Sequence, residues 1–179
     1  MLEINGDTVS LSLNEPSILK TANGQTLNIK LKQKEILTYS DEMVSFQYPS
    51  AFTLSSKVYE DVEQIVCLSG SGNGFLIQKY KDINPENMVD LMLSEMTEES
   101  IDAGYKEKKI PVEKKLKSNK TLSGKQSTLT LDDETNIYSV FPVKIKKGGL
   151  IIVLVIVDPS DEADMKAYDV LWKTLEPKN

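Results

Sequence analysis

A chain of 179 residues and 20.0 kDa has the length of one domain, or of one domain with an appended arm. Its 21 basic residues are all lysine and it has no histidine, which excludes imidazole triads, histidine-ligated metals and every device built on arginine. A single cysteine, Cys67, leaves no internal disulfide, and the net charge of −6 argues against nucleic acid as the main partner.

Residues 1–38 read as a β arm. Val9, Leu11 and Leu13 alternate with polar residues, as do Leu27, Ile29 and Leu31, and Asn23-Gly24 between them is a two-residue hairpin signal. Pro16 is expected to close the first of these strands. The arm is too small to stand alone, so it is expected to pack on the main domain, residues 39–179.

From Tyr39 onward short strands follow one another. Val44 to Tyr48 is stopped by Pro49, Phe52 to Leu54 begins a further piece, and Gln64 to Leu68 and Phe75 to Tyr80 flank Ser69-Gly70-Ser71-Gly72-Asn73-Gly74. The spacing predicts a helix over 85–103, with Asn84 as cap, Pro85 at its first position and Met88, Leu91, Met92 and Met96 on its apolar face. Lysine-rich residues 106–117 read as a strand, Gly124 as a turn, Ser127 to Leu131 and Ile137 to Ile145 as strands, and Gly148-Gly149 as a turn into Leu150 to Val157.

That last run decides the class. Eight consecutive apolar residues give no face to water, so the strand is central and covered on both sides. The predicted helix over 85–103 and a second near 160–175, capped by Ser160 and with Met165, Tyr168, Trp172 and Leu175 on one face, supply the cover. The expected fold is α+β: an antiparallel β-sheet sandwiched between helices (α/β/α), with an N-terminal β arm.

Few residues suggest chemistry. Gly70, Gly72 and Gly74 resemble a phosphate cradle, but a strand follows where such a site needs a helix, so the segment reads as a flexible hairpin loop. Ser17-Ile18-Leu19-Lys20 has the spacing of acyl-serine enzymes without their Lys-Thr-Gly partner. Asp158, Asp161, Glu162 and Asp164 lack the spacing of a calcium loop and read as helix capping. No catalytic residue, metal site or cofactor is expected, and Cys67 reads as inert core.

Two stretches are candidates for contact with a partner. Residues 106–125 hold eight lysines against two glutamates, a local excess opposite in sign to the whole chain. Lys114, Lys115 and Lys117 are its centre, and together with the loop of Gly70, Gly72 and Gly74 they could form one rim that steers an acidic partner. Met88, Met92 and Met96, one turn apart, are either the buried face of a helix or an adaptable groove for a peptide.

The tetrad Phe46-Gln47-Tyr48-Pro49, a glycine-turned hairpin, a helix, and a meander closing on Leu150 to Val157 and a helix with Trp172 resemble the PsbP-like family over residues 39–177. This family includes bacterial DcrB-type proteins, the photosystem II extrinsic protein PsbP and a Ran-binding nuclear factor of yeast. The resemblance implies the same α/β/α fold and a non-enzymatic role in assembly or scaffolding, with no catalytic residues to carry over. The expectation is therefore a protein-binding module with an unidentified protein partner and no nucleic acid, monomeric or homodimeric. The alternatives are a cytosolic chaperone for an exported apolar cargo and a carboxylate-dependent hydrolase. No run approaches the ~18 apolar residues of a membrane span. A cytoplasmic location is expected, or a periplasmic or lipid-anchored one if a leader is trimmed.

Overall fold

The computed structural model describes residues 2–4, 7–20, 24–146 and 148–178. It divides after Glu35 into two units. In the first, β1 (Leu2–Ile4) pairs with β2 (Asp7–Val9), and β3 (Pro16–Lys20) pairs with β4 (Thr26–Lys30), all antiparallel. The strand facing Thr26–Lys30 is thus Pro16–Lys20, not the alternating run that ends at Leu13. Leu13 makes only an isolated bridge to Leu31. Pro16 opens a strand instead of closing one, which suits a residue with no N–H to give at a first position. The register Lys20↔Thr26 spans five residues, and Asn23 of the expected two-residue turn lies outside the described residues.

The second unit, from Ile36, holds β5 (Ile36–Ser40), β6 (Val44–Pro49), β7 (Thr53–Tyr59), β8 (Val62–Leu68) and β9 (Gly74–Tyr80). A 3₁₀ turn (Pro85–Met88) leads into α1 (Val89–Asp102). Then come β10 (Lys106–Lys115), β11 (Thr121–Leu131), β12 (Glu134–Ile145), β13 (Gly148–Ile156), α2 (Glu162–Thr174) and β14 (Glu176–Pro177). Seven strands form one antiparallel sheet in the order β10-β11-β12-β13-β9-β8-β7, and β14-β6-β5 form a small second sheet.

β13 is the middle strand, and its side chains feed two cores. Leu150, Ile152 and Leu154 pack with Ala167, Tyr168, Leu171 and Trp172 of α2 and with Val44 and Phe46 of the small sheet. Ile151 and Val153 point the other way, to Val89, Met92 and Leu93 of α1. Alternation along one strand therefore builds both interfaces of a three-layer α/β/α sandwich, the α+β fold that the apolar run demands. Burial fades at its end, where Val157 is exposed.

Three local expectations are corrected. Gly124 lies inside β11, not in a turn: a Cβ there would overlap the Val140 carbonyl and the Phe141 ring. The turn sits at Leu116–Lys120, closed by Leu116 N–H to the Lys120 carbonyl (2.9 Å), with Asn119 at φ +64°. The α2 cap is Asp161, not Ser160; its carboxylate accepts the Ala163 and Asp164 N–H groups at 3.0 Å each. Leu91 is 56% exposed, because the buried stripe of α1 runs through Val89, Met92, Leu93 and Thr97 and leaves Leu91 at its margin.

Candidate partner-binding surfaces

The Gly70–Gly74 loop is clamped, which overturns its reading as flexible. Asn73 is wholly buried. Its side-chain carbonyl accepts the N–H groups of Val157 (2.9 Å) and Asp158 (3.0 Å), and its amide donates to the Asp158 carbonyl (2.9 Å) and the Asp164 carboxylate (3.2 Å). Asp164 also accepts the hydroxyls of Ser69 and Ser71, each at 2.5 Å. A residue expected to serve the α2 dipole instead turns its buried carboxylate onto the loop. The signal was present in the serines and asparagine between the glycines, which are residues that bond to neighbouring backbone. Gly74 is required for close approach, since a Cβ there would overlap the Cys67 carbonyl.

The methionine stripe is chiefly core. Met92 is buried, and Met88 and Met96 are half-buried against Tyr80, Val140 and Val153. Met88 and Met92 also reach the wall of a cleft of about 670 Å³, whose floor is Val62, Gln64, Gln78 and Tyr80 and whose rim carries Leu91, Glu60 and Glu95. This cleft exists because α1 packs over β11 and β12. The same face of β8 and β9 is left without a helix.

The lysine segment is split by the strand it lies on. Lys114 and Lys115 are exposed neighbours on β10 and so point to opposite faces of the sheet, while Lys117 stands in the turn beyond. The register places this end of the sheet with Lys144, Gly149 and Tyr80. The Gly70–Gly74 loop is at the other end, next to Val155. The two candidate stretches therefore do not share a rim. What the sequence did not reveal is that the turn meets β12 and the chain's end. Lys117, Lys120 and Lys144 line one cleft of about 390 Å³ with Leu116, Leu175, Glu176 and Pro177. Lys120 Nζ donates to the Lys144 carbonyl at 3.5 Å. Lys125, by contrast, is neutralised by Asp90 at 2.6 Å.

A second charged side chain, besides Asp164, is internal. Lys79 is buried and bridges Asp41 and Glu63, both at 2.6 Å. Burial works against ionisation of Asp41. Hydrogen bonds from Lys79, Tyr39 and the Val44 and Met43 N–H groups outweigh it and hold the carboxyl down at about 2. Desolvation likewise opposes the charge on Lys79, but its two carboxylate partners raise it above the ordinary lysine value. Burial alone pushes the Cys67 thiol up to about 12, so it is a core side chain and no nucleophile. Among the described residues there is no group of three or more potential metal-ligating side chains, and no helix is long and apolar enough to cross a membrane.

No sequence-family model matches the chain, and no curated protein matches it in sequence. Its fold does match. The solution structure of cyanobacterial PsbP (CyanoP) from Synechocystis sp. PCC 6803 superposes with a TM-score of 0.53 at 10% identity, over 80% of this chain and 92% of that one. The class is thus defined: the chain has a PsbP-like α+β fold. At this identity the likeness speaks for architecture alone.

Proposed function

We propose that this chain is a non-enzymatic docking module that binds an acidic protein partner at the lysine end of its sheet. The observation that carries the reading is the convergence of Lys117, Lys120 and Lys144 on one cleft, with Lys114 and Lys115 on the adjoining strand end of a chain whose net charge is −6. Only one acid, Glu176, lines that cleft. A local field of this kind steers and orients an acidic partner despite the overall sign. The absence of histidine and arginine and the assembly roles implied by the PsbP-like resemblance support the same reading.

Affinity capture from the native lysate tests it, using the wild-type chain beside the triple variant Lys114→Glu, Lys115→Glu, Lys117→Glu. All three side chains are exposed, so the fold is expected to survive. Acidic proteins retained by the wild type and lost by the variant are the expected result. Identical captured sets would overturn it. The cleft walled by Met88 and Met92, with Leu91 exposed beside it, favours a second reading, a chaperone that holds an apolar cargo segment. In that case charge reversal leaves capture intact and Leu91→Asp abolishes it. We propose in addition that the first unit, residues 1–35, serves as an arm and not as an independent domain, because Leu13 and Ile18 there are left exposed and short hairpins alone are marginal in water.

A further inference from the structure

We propose that β7 is a self-complementary edge through which two copies of this chain pair antiparallel about Ser56, joining their sheets into one; this goes beyond the docking reading and uses none of its residues. The two edges of the seven-stranded sheet are built differently. β10 carries Lys106, Lys108, Lys109, Lys114 and Lys115 together with Pro111, and such charges and a missing N–H discourage pairing. β7 (Thr-Leu-Ser-Ser-Lys-Val-Tyr) has one lysine, no acid and no proline. It pairs with β8 along its whole length and, among the described residues, with nothing on its outer side. Val58 is 63% and Tyr59 51% exposed.

The side chains of β7 select a second copy as occupant. A two-fold axis perpendicular to the sheet keeps faces matched, so the centre must fall on a single residue. Centred on Ser56, the pairing sets Leu54 against the partner's Val58, Ser55 against the partner's Lys57 and Thr53 against the partner's Tyr59, each twice. Leu54 already packs against the main core, so the incoming valine extends that core across the joint. A centre on Lys57 would set two ammonium groups face to face. A centre on Ser55 would require Phe52, which is buried, to meet Val58. The Ser56 register leaves the two Lys57 side chains on a diagonal. Lys57 Nζ lies over the Tyr59 ring, 4.6 Å from its centroid, and so leans away from the axis. The net charge of −6 opposes association only through solvent, where salt screens it.

Disulfide trapping in the full chain reads the register. Ser56→Cys faces itself at the axis with Cα atoms roughly 4.5–5.5 Å apart, within bonding range. Val58→Cys stands roughly 14 Å from its copy, four residues along the strand. The native Cys67 is buried and does not compete. Under mild oxidation S56C is expected to cross-link at least about tenfold faster than V58C. In sedimentation the wild-type chain is expected to form dimers that strengthen with salt, and Val58→Lys to weaken them about tenfold while melting as the wild type does. Equal cross-linking rates, or a wild-type chain that stays monomeric at its highest soluble concentration, would overturn the proposal. The second result would leave the edge to an extended segment of another protein.

Discussion

Lys79 joins two layers that no local signal connects. It belongs to β9 of the large sheet, yet one of its partners, Asp41, sits in the turn between β5 and β6 of the small one. The Asp41 carboxyl therefore carries a stability term that depends on pH. Its folded value, about 2, lies below the ordinary 3.8, so the contribution is present above pH 4 and is lost as pH falls through the folded value. Asp41→Asn is expected to cost about 1.5–3 kcal/mol at pH 7, the range for hydrogen bonds to charged groups. Urea unfolding at a series of pH values checks this: the variant and wild-type stabilities should converge between about pH 4 and pH 2, and parallel curves would refute the assignment. None of this was legible in the sequence. Lys79 shares the inward face of its strand with Phe75 and Ile77, but the partners that would satisfy it there lie 38 and 16 positions back along the chain. Asp164 escaped for the same reason, since a carboxylate in a first helical turn has a sufficient local explanation.

At the level of elements, β13 was the most legible piece, because eight apolar residues in a row leave a strand only one place in a soluble sheet. Its two faces reach separate cores, and nothing else among the described residues is covered as completely. The amides of Leu150 to Leu154 are expected to exchange slowest of all and those of Thr53 to Tyr59 at the β7 edge far faster. Hydrogen exchange followed by mass spectrometry or NMR decides this, and comparable rates in the two strands would be incompatible with the layer order. Elements whose limits depend on tertiary approach were harder to read. Gly124 has the look of a turn, but its missing side chain makes room for Phe141, a residue 17 positions further on. The first hairpin was misread because the run ending at Leu13 alternates strictly whereas Ile18 and Leu19 stand side by side in Pro16–Lys20, yet pairing, not pattern, chose the latter.

For the whole molecule, the sandwich followed from counting helices against the faces of a two-sided strand. The functional surfaces did not, because they arise from offsets between layers. α1 covers β11 and β12 and leaves β8 and β9 open on that face. The lysine end gathers Lys144 from a different strand. The expectation of a shared rim had grouped Lys114, Lys115 and Lys117 with the Gly70–Gly74 loop. The register separates these to opposite ends and replaces that grouping with Lys117, Lys120 and Lys144. What remains is a local cluster, Lys117, Lys120 and Lys144 with Lys114 and Lys115 beside them, on a chain that is acidic overall, with Asp90, Glu95, Glu98, Glu99 and Asp102 on α1. Electrostatic steering by such a field acts on the association rate and falls with ionic strength. The most direct measurement is therefore the association rate of the captured acidic partner at several salt concentrations. For the wild-type chain it should fall steeply as salt rises. For the Lys114→Glu, Lys115→Glu, Lys117→Glu variant it should be slower at low salt and nearly flat. Identical rates and salt slopes for the two chains would contradict a docking role and leave the lysines as solubilising charge.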